Sequence, residues 1–286
     1  MTVRGADPLL SVDELAALLD IGEAKVADTR WYLGEPERGR EAYDEGHISG
    51  AVYVNLEKHM SGEHGPGRHP LPSRSNFAAT MGMLGFGDDD LVVAYDDRGG
   101  AIAARLWWIL RDIGHHEVRV LDGGLPAWVS AGHLVDTTPP SPEPSTMTVK
   151  PSMTRTIDRE ALAESLGEIT LVDARSMERY RGDEEPLDPI AGHIPTAVNV
   201  PYEENVDTEN RFLPARMLAA RYRSVGVRGP DTVVYCGSGV TACHDALAMV
   251  VAGLEEPILY PGSWSDWSTA DMPVATGDEP GEALPY

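Results

Sequence analysis

Gly46-His47-Ile48-Ser49-Gly50-Ala51 and Gly192-His193-Ile194-Pro195-Thr196-Ala197 are two versions of one short segment. Two further pairs flank them in the same order. An Asp-x-Arg triplet occurs at Asp28–Arg30 and again at Asp173–Arg175, each after short apolar residues. A Gly-x-x-x-x-Trp segment closes each half, at Gly123–Trp128 and Gly262–Trp267. Three matches in one order, at nearly the same offset, mean that a single unit is present twice. Between the copies lies Thr137–Pro151, TTPPSPEPSTMTVKP, which holds five prolines and little apolar content. Such a stretch cannot continue a helix and tends to extended conformation, so it reads as a linker. The expected organisation is a first domain over 1–136, a linker over 137–151 and a second domain over 152–286. The last residues, from Gly277 to Tyr286, read as a polar tail.

Within each copy, short apolar runs alternate with helical patterns. Leu91–Tyr95 reads as a buried strand, Ile102–Ile113 as a helix and Val118–Leu121 as a strand. In the second copy Thr232–Tyr235 is the matching strand, followed by a helix from about Val240 to Ala252 and a strand at Ile258–Tyr260. Apolar runs of this length, bounded by turn residues and separated by helices, predict an α/β fold with a mainly parallel sheet in each copy. Sites in such sheets form at the carboxyl ends of strands, where the next helix starts.

Composition narrows the function. The chain has 286 residues, 23 basic against 46 acidic, and a formal net charge of −23. That balance argues against nucleic acid or an anionic membrane as partner, since both need basic patches. Two cysteines allow neither a disulfide framework nor a four-cysteine zinc site. The opening MTVRGADPLLSVDELAALLD shows no signal-peptide core, and no long apolar run occurs. A cytoplasmic, reducing location is expected.

Cys236 follows the Thr232–Tyr235 strand directly and precedes Gly237-Ser238-Gly239-Val240-Thr241. Two glycines and a serine let the backbone curl until successive N–H groups point into one concavity. The following helix adds its positive end. Both features stabilise a thiolate and favour a nucleophile over a packing cysteine. Cys243, inside the helix, reads as packing, and His244 beside it as a helix-surface or packing residue rather than a catalytic base. A phosphatase of this geometry needs an arginine at position 242, where alanine stands; a thioredoxin-like site needs Cys-x-x-Cys, which is absent. A cysteine protease needs a histidine and an orienting partner, which spacing alone does not deny. A ring of bare N–H groups around a thiolate suits an anionic sulfur species such as a persulfide. His59, His64 and His69 recur every five residues, but that spacing in a loop fixes no metal geometry. Neither a phosphate loop nor a dinucleotide fingerprint occurs, and no metal or cofactor is expected.

On these residues the chain resembles the rhodanese-type sulfurtransferases in their two-domain form. The run from Tyr235 through Cys243 looks like the active loop of the 3-mercaptopyruvate branch, and Pro261–Trp267 resembles the C-terminal signature. The resemblance implies two tandem rhodanese-like domains, with Cys236 cycling through a persulfide. Asp96 stands where the second copy has Cys236, so the first domain is expected to be non-catalytic. Arg98 and Arg105 near it have two readings, facing the cleft or solvated at the surface, and the second is preferred. Catalytic roles are implied for Cys236, for Ser238 and for His69, the last from the segment His69-Pro70-Leu71-Pro72. Substrate contacts are implied for Arg179 and for the loop residues Gly237, Gly239, Val240 and Thr241. The family's orienting acid near that histidine has no clear match, and Glu63 is the nearest. A second carboxylate-binding arginine is expected in a Glu-Pro-Arg segment, but the chain reads Glu185-Pro186-Leu187, with Arg181 as a possible substitute. The neutral loop favours 3-mercaptopyruvate as sulfur donor, with a thiol, thioredoxin or cyanide as acceptor. Thiosulfate as donor and a non-catalytic persulfide carrier are the alternatives. His47, His193, Arg30 and Arg175 read as structural.

Overall fold

The computed structural model describes residues 7–283. The first six and last three residues, which carry part of the leader reading and the end of the expected tail, lie outside them. The chain forms two compact units. The first comprises residues up to Ser61, Pro72–Met153 and Val206–Phe212; the second comprises Gly62–Leu71, Thr154–Asn205 and Leu213 onward.

In the first unit the strands are β1 (Leu9–Leu10), β2 (Lys25–Asp28), β3 (His47–Ile48), β4 (Val52–Tyr53), β5 (Val92–Tyr95), β6 (Val118–Leu121) and β7 (Val135–Asp136). Five of them make a sheet in the order β1-β6-β5-β2-β4, parallel throughout, while β3 and β7 pair antiparallel. In the second unit they are β8 (Arg155–Thr156), β9 (Thr170–Asp173), β10 (Val198–Asn199), β11 (Thr232–Tyr235) and β12 (Ile258–Leu259). They form one parallel sheet in the order β10-β9-β11-β12-β8. Read from β8, this is the order of the first sheet, so the duplication seen in three short segments extends to the whole topology.

The central strands β5 and β11 are buried at all four positions. A strand covered on both faces needs apolar side chains on both, which is why these runs do not alternate. Each feeds a helix, Ala103–Asp112 or Ala242–Val251, with eight buried residues. The first of these corrects an expectation: Arg105 is fully buried, whereas Arg98 is exposed. The helix is covered on nearly all sides, so a charged residue within it does not mark a solvent face.

The repeated segments build one buried device in each unit. In the first, Arg30 grips Asp28 at 2.6 Å and donates to the Gly46 carbonyl at 2.7 Å. Tyr95, from β5, donates to Asp28 at 2.6 Å and accepts from the Ile48 amide at 3.1 Å. In the second, Arg175 grips Asp173 at 2.6 Å and reaches the Gly192 carbonyl at 2.7 Å, while the Ile194 amide donates to Tyr235 at 3.1 Å. His47 and His193 stack on Tyr43 and Tyr180 at 3.9 and 3.7 Å. Arg30, Arg175 and both histidines are therefore structural, as their repetition suggested. Burial, reinforced by the aspartate charge, pushes the Tyr95 and Tyr235 phenols up, so both keep their protons.

Three stretches depart from a simple cut at 136 and 152, and one of them, Val206–Phe212, lies with the first unit. The Pro-rich stretch hydrogen-bonds along the first unit: the Ser145 amide donates to the Gly82 carbonyl at 2.8 Å and the Lys150 amide to the Ile113 carbonyl at 2.8 Å. Residues 62–71, rich in glycine and proline and without helix or strand, lie with the second unit. The Arg68 amide donates there to Ser265 Oγ at 3.0 Å. Gly67, at φ +78, permits that approach, since a side chain would collide with the Gly262 carbonyl.

Candidate active site

β11 delivers Cys236 to the carboxyl end of its sheet, and the chain continues through Thr241, whose side chain makes no capping hydrogen bond, into the helix Ala242–Val251. The helix begins two residues later than the sequence suggested, which leaves Val240 and Thr241 to the loop. Cys236 is 1% exposed. The Gly239 amide donates to its Sγ at 3.1 Å. Gly239 stands at φ +76, and a β-carbon there would run into the Pro261 carbonyl. Only glycine turns its N–H to the sulfur without strain and passes so close to Pro261. Trp264 and Ser265 amides donate to the Cys236 and Gly237 carbonyls, each at 2.9 Å, and tie the loop to the segment behind it.

Ser263 was not anticipated as a site residue. It is fully buried at φ +54, and its hydroxyl accepts from the Cys236 amide at 3.1 Å while donating to the Tyr260 carbonyl at 3.0 Å. The first unit places Gly124 at φ +56 at the matching position of its own Gly-x-x-x-x-Trp segment. The backbone needs this left-handed turn in both copies. Only the copy that carries cysteine spends a serine on it.

Ser238 and His69 come together: Nδ1 of His69 lies 2.8 Å from Ser238 Oγ, and each residue is 8% exposed. Glu63 is exposed. His64 is exposed too, while His59 accepts the Asn55 amide at 3.0 Å and is held below the usual histidine range by burial. The three histidines thus occupy three different surroundings, and the described residues contain no cluster of three metal-ligating side chains.

Arg179 lies against the loop, 3.1 Å from where a Gly237 β-carbon would stand. It pairs with Glu185 at 2.8 Å and Asp188 at 3.2 Å. Arg181 does not join it; Arg181 turns outward to the exposed Asp278. Leu187 is 39% exposed. Arg68, which sequence reasoning missed, also reaches within 3.1 Å of the Gly237 β-position and pairs with Asp188. Its one sequence signal is adjacency to His69. Burial, opposed by the Arg68 charge, raises the Asp188 carboxyl above the usual range. Cys243 and His244 are buried, Cys243 donating to the Gly239 carbonyl at 3.4 Å, so His244 is not a helix-surface residue.

In the first unit the corresponding loop carries Asp96, 1% exposed. Its two oxygens accept four amides, those of Arg98, Gly100, Ile102 and Ala103, at 2.8–2.9 Å. The loop architecture is therefore an anion nest, and here it is filled by a fixed carboxylate that has no nucleophilic sulfur to offer.

Comparison with known proteins agrees with this geometry. The rhodanese-like domain family matches twice, over residues 11–131 and 158–270. The "Probable 3-mercaptopyruvate sulfurtransferase" of Pseudomonas aeruginosa is 42% identical over 94% of this chain and 98% of its own length. The "Putative thiosulfate sulfurtransferase SseB" of Mycobacterium tuberculosis is 43% identical over 97% of this chain and 99% of its own. The crystal structure of SseA from Escherichia coli, described as a 3-mercaptopyruvate sulfotransferase of the rhodanese fold, superposes with a TM-score of 0.81 at 29% identity, covering 91% of this chain and all of that one. The chain belongs to the rhodanese family and is a sulfurtransferase built from two tandem rhodanese-like domains.

Proposed function

We propose that this protein moves sulfane sulfur from 3-mercaptopyruvate through a persulfide on Cys236 to a thiol, thioredoxin or cyanide. The observation that carries the reading is the uncharged loop: Gly237 and Ser238 follow the cysteine, and Ser238 is paired with His69 at 2.8 Å. The Cys236 thiolate attacks the donor sulfur. The carbon–sulfur bond breaks, its electron pair leaves on carbon as pyruvate enolate, and a proton restores pyruvate. Ser238 with His69 supplies a relay for that proton. The amide of Gly239 and the other N–H groups of the Gly237–Thr241 loop hold the negative persulfide, the role that the Asp96 nest illustrates with oxygen. An acceptor thiolate or cyanide then takes the outer sulfur and returns the Cys236 thiolate. Arg179 receives the donor carboxylate.

Among the described residues no helix is long and apolar enough to cross a membrane. Two unbridged cysteines suit a cytoplasmic, reducing setting. The acidic balance speaks against nucleic acid as a partner.

A second reading keeps the chemistry and makes thiosulfate the donor; it is favoured by Leu187, where the mercaptopyruvate pattern has arginine, and by the name of the mycobacterial relative. Measuring kcat/KM for both donors with cyanide, on wild type and Cys236→Ser, separates the two. A preference for 3-mercaptopyruvate that vanishes in the variant is expected, with parallel lines in initial-rate plots. A preference for thiosulfate would install the second reading, and activity surviving Cys236→Ser would remove both.

A further inference from the structure

We infer that Arg159, Tyr260 and Asp266 form a positioning triad that holds the Cys236 loop in shape from behind, so that the chemical step depends on it and donor binding does not. The inference rests on the reading of Cys236 as the nucleophile and deepens it.

The two copies differ at these three positions. Arg159 matches Val12, each being the first residue of its helix after the N-cap residue, Asp158 or Ser11. Strand register and the Gly-x-x-x-x-Trp segments match Tyr260 with Leu121 and Asp266 with Ala127. In the first unit Val12, Leu121 and Ala127 are buried members of one apolar cluster. In the second unit the same positions make a hydrogen-bonded set. Arg159 donates to Asp266 Oδ1 at 2.7 Å, and Tyr260 donates to Asp266 Oδ2 at 2.6 Å. Tyr260 is 1% exposed and Asp266 7%. Burial and the hydrogen bond to Asp266 push the Tyr260 phenol up, so it keeps the proton it donates. Desolvating such a set is costly, and apolar side chains of like volume serve stability as well or better. The first unit shows that the fold accepts an apolar trio here. The polar set is present only in the copy that carries the cysteine.

Its geometry supplies a use. Tyr260 and Asp266 are the two ends of the segment that backs the Cys236 loop, and their hydrogen bond closes it. Asp266 lies against the turn between them, since a β-carbon at Gly262 would stand 2.6 Å from its Oδ2. The holds on the loop all come from inside this closed segment. The Pro261 carbonyl faces Gly239, the Ser263 hydroxyl takes the Cys236 amide, and the Trp264 amide donates to the Cys236 carbonyl. Gly239 in turn donates to Cys236 Sγ at 3.1 Å. Arg159 ties the clasp to the start of the helix Arg159–Ser165. It lines a cavity of about 320 Å³ with Thr156, Tyr260, Pro261, Gly262 and Asp266, and its side chain is 29% exposed, so an uncharged replacement there still meets solvent.

The test uses Arg159→Met, Tyr260→Phe and Asp266→Leu, singly and together, which keep side-chain bulk and remove polarity. Two readouts are taken: the rate constant for alkylation of Cys236 by iodoacetamide, followed on its own peptide, and kcat and KM for 3-mercaptopyruvate per reactive Cys236. A Gly239 amide no longer aimed at the sulfur stabilises thiolate and persulfide less. The combined variant should therefore be alkylated roughly tenfold to a hundredfold more slowly, and kcat should fall by a similar factor. KM should stay within about twofold of wild type. Tyr260→Phe, which loses a single hydroxyl, should slow both rates by roughly threefold to tenfold. Wild-type rates in the folded combined variant would overturn the inference. Faster alkylation would overturn it too, showing that the set only packs the loop over the sulfur. A raised KM at constant kcat would overturn it in favour of donor binding. Should the combined variant fail to fold, unchanged rates in Tyr260→Phe overturn the inference by themselves. Turnover of 3-mercaptopyruvate by wild type with Cys236 already alkylated would instead remove the nucleophile reading, which wild-type rates in the variants leave standing.

Discussion

Ser263 sits at φ +54 with its hydroxyl on the Cys236 amide, so two opposing effects meet in one residue. Ser263→Ala removes the hydroxyl and keeps a β-carbon in the left-handed region. A buried N–H left without its acceptor costs about 1–3 kcal/mol. Ser263→Gly removes the same hydroxyl but also the β-carbon, recovering about 1–2 kcal/mol of left-handed strain. Against that, a more flexible unfolded chain costs about 0.4–1 kcal/mol. The glycine variant should therefore be more stable than the alanine variant by about 0.5–1 kcal/mol, although the position opens the helix Ser263–Trp267, where glycine is ordinarily the worse residue by about 1 kcal/mol. The assay is urea unfolding followed by intrinsic fluorescence, to which the fully buried Trp264 and Trp267 of the second unit contribute alongside four tryptophans of the first. With a slope of about 2 kcal/mol/M, the alanine variant should lose about 0.5–1.5 M in midpoint, with glycine between it and wild type. Alanine equal to wild type would show that the hydroxyl contributes nothing. Alanine above glycine would show that the backbone is not held in the left-handed turn, and the parallel with Gly124 would fall with it.

Two further perturbations probe the units separately. Asp245 is fully buried, with its carboxyl pushed up to about 8 by burial, while Asn205, Tyr222 and Arg221 pull it down and Glu203 pushes it up. Its folded form keeps a proton that the unfolded chain releases near pH 4. Its contribution to stability is therefore fullest below that pH and is lost as pH rises toward 8, at up to about 1.4 kcal/mol per unit. Asp245→Asn should flatten this part of the pH–stability curve of the second unit; parallel curves for variant and wild type would contradict it. In the first unit, Asp96→Asn replaces a four-amide acceptor by a group half of which is itself a donor, and should cost about 3 kcal/mol. Calorimetry showing an unchanged transition would refute the nest, and kcat with 3-mercaptopyruvate should stay near wild type wherever the protein remains folded.

The fold was legible wherever local pattern and tertiary demand agree. Strand β11, the Cys236 loop and the helix after it form one continuous stretch, and burial on both faces of the strand leaves an unbroken apolar run that sequence displays directly. The Asp-x-Arg and Gly-His-Ile segments were legible for another reason: each depends on contacts made entirely within its own unit, so both copies had to keep the same residues. Arg68 and Ser263 escaped because their meaning comes from chain far away. Arg68 matters through Gly237 and Asp188, and Ser263 through Cys236. Arg105 misled because a charge in a helical pattern ordinarily marks water, and this helix has almost no wet face. Arg181, offered as a substitute for the missing second arginine, does not serve as one because the short helix Met177–Arg181 turns it toward Asp278.

The central claim is that Cys236, and not Cys243, carries the sulfur between donor and acceptor. It is tested most directly by mixing the protein with 3-mercaptopyruvate without acceptor, following pyruvate release in the first turnover, and weighing the cysteine peptides by mass spectrometry. A burst of one pyruvate per chain is expected, with a Cys236 residue heavier by one sulfur atom and loss of that sulfur as thiocyanate when cyanide is added. Pyruvate released with Cys236 unmodified, or the extra sulfur found on Cys243, would contradict it.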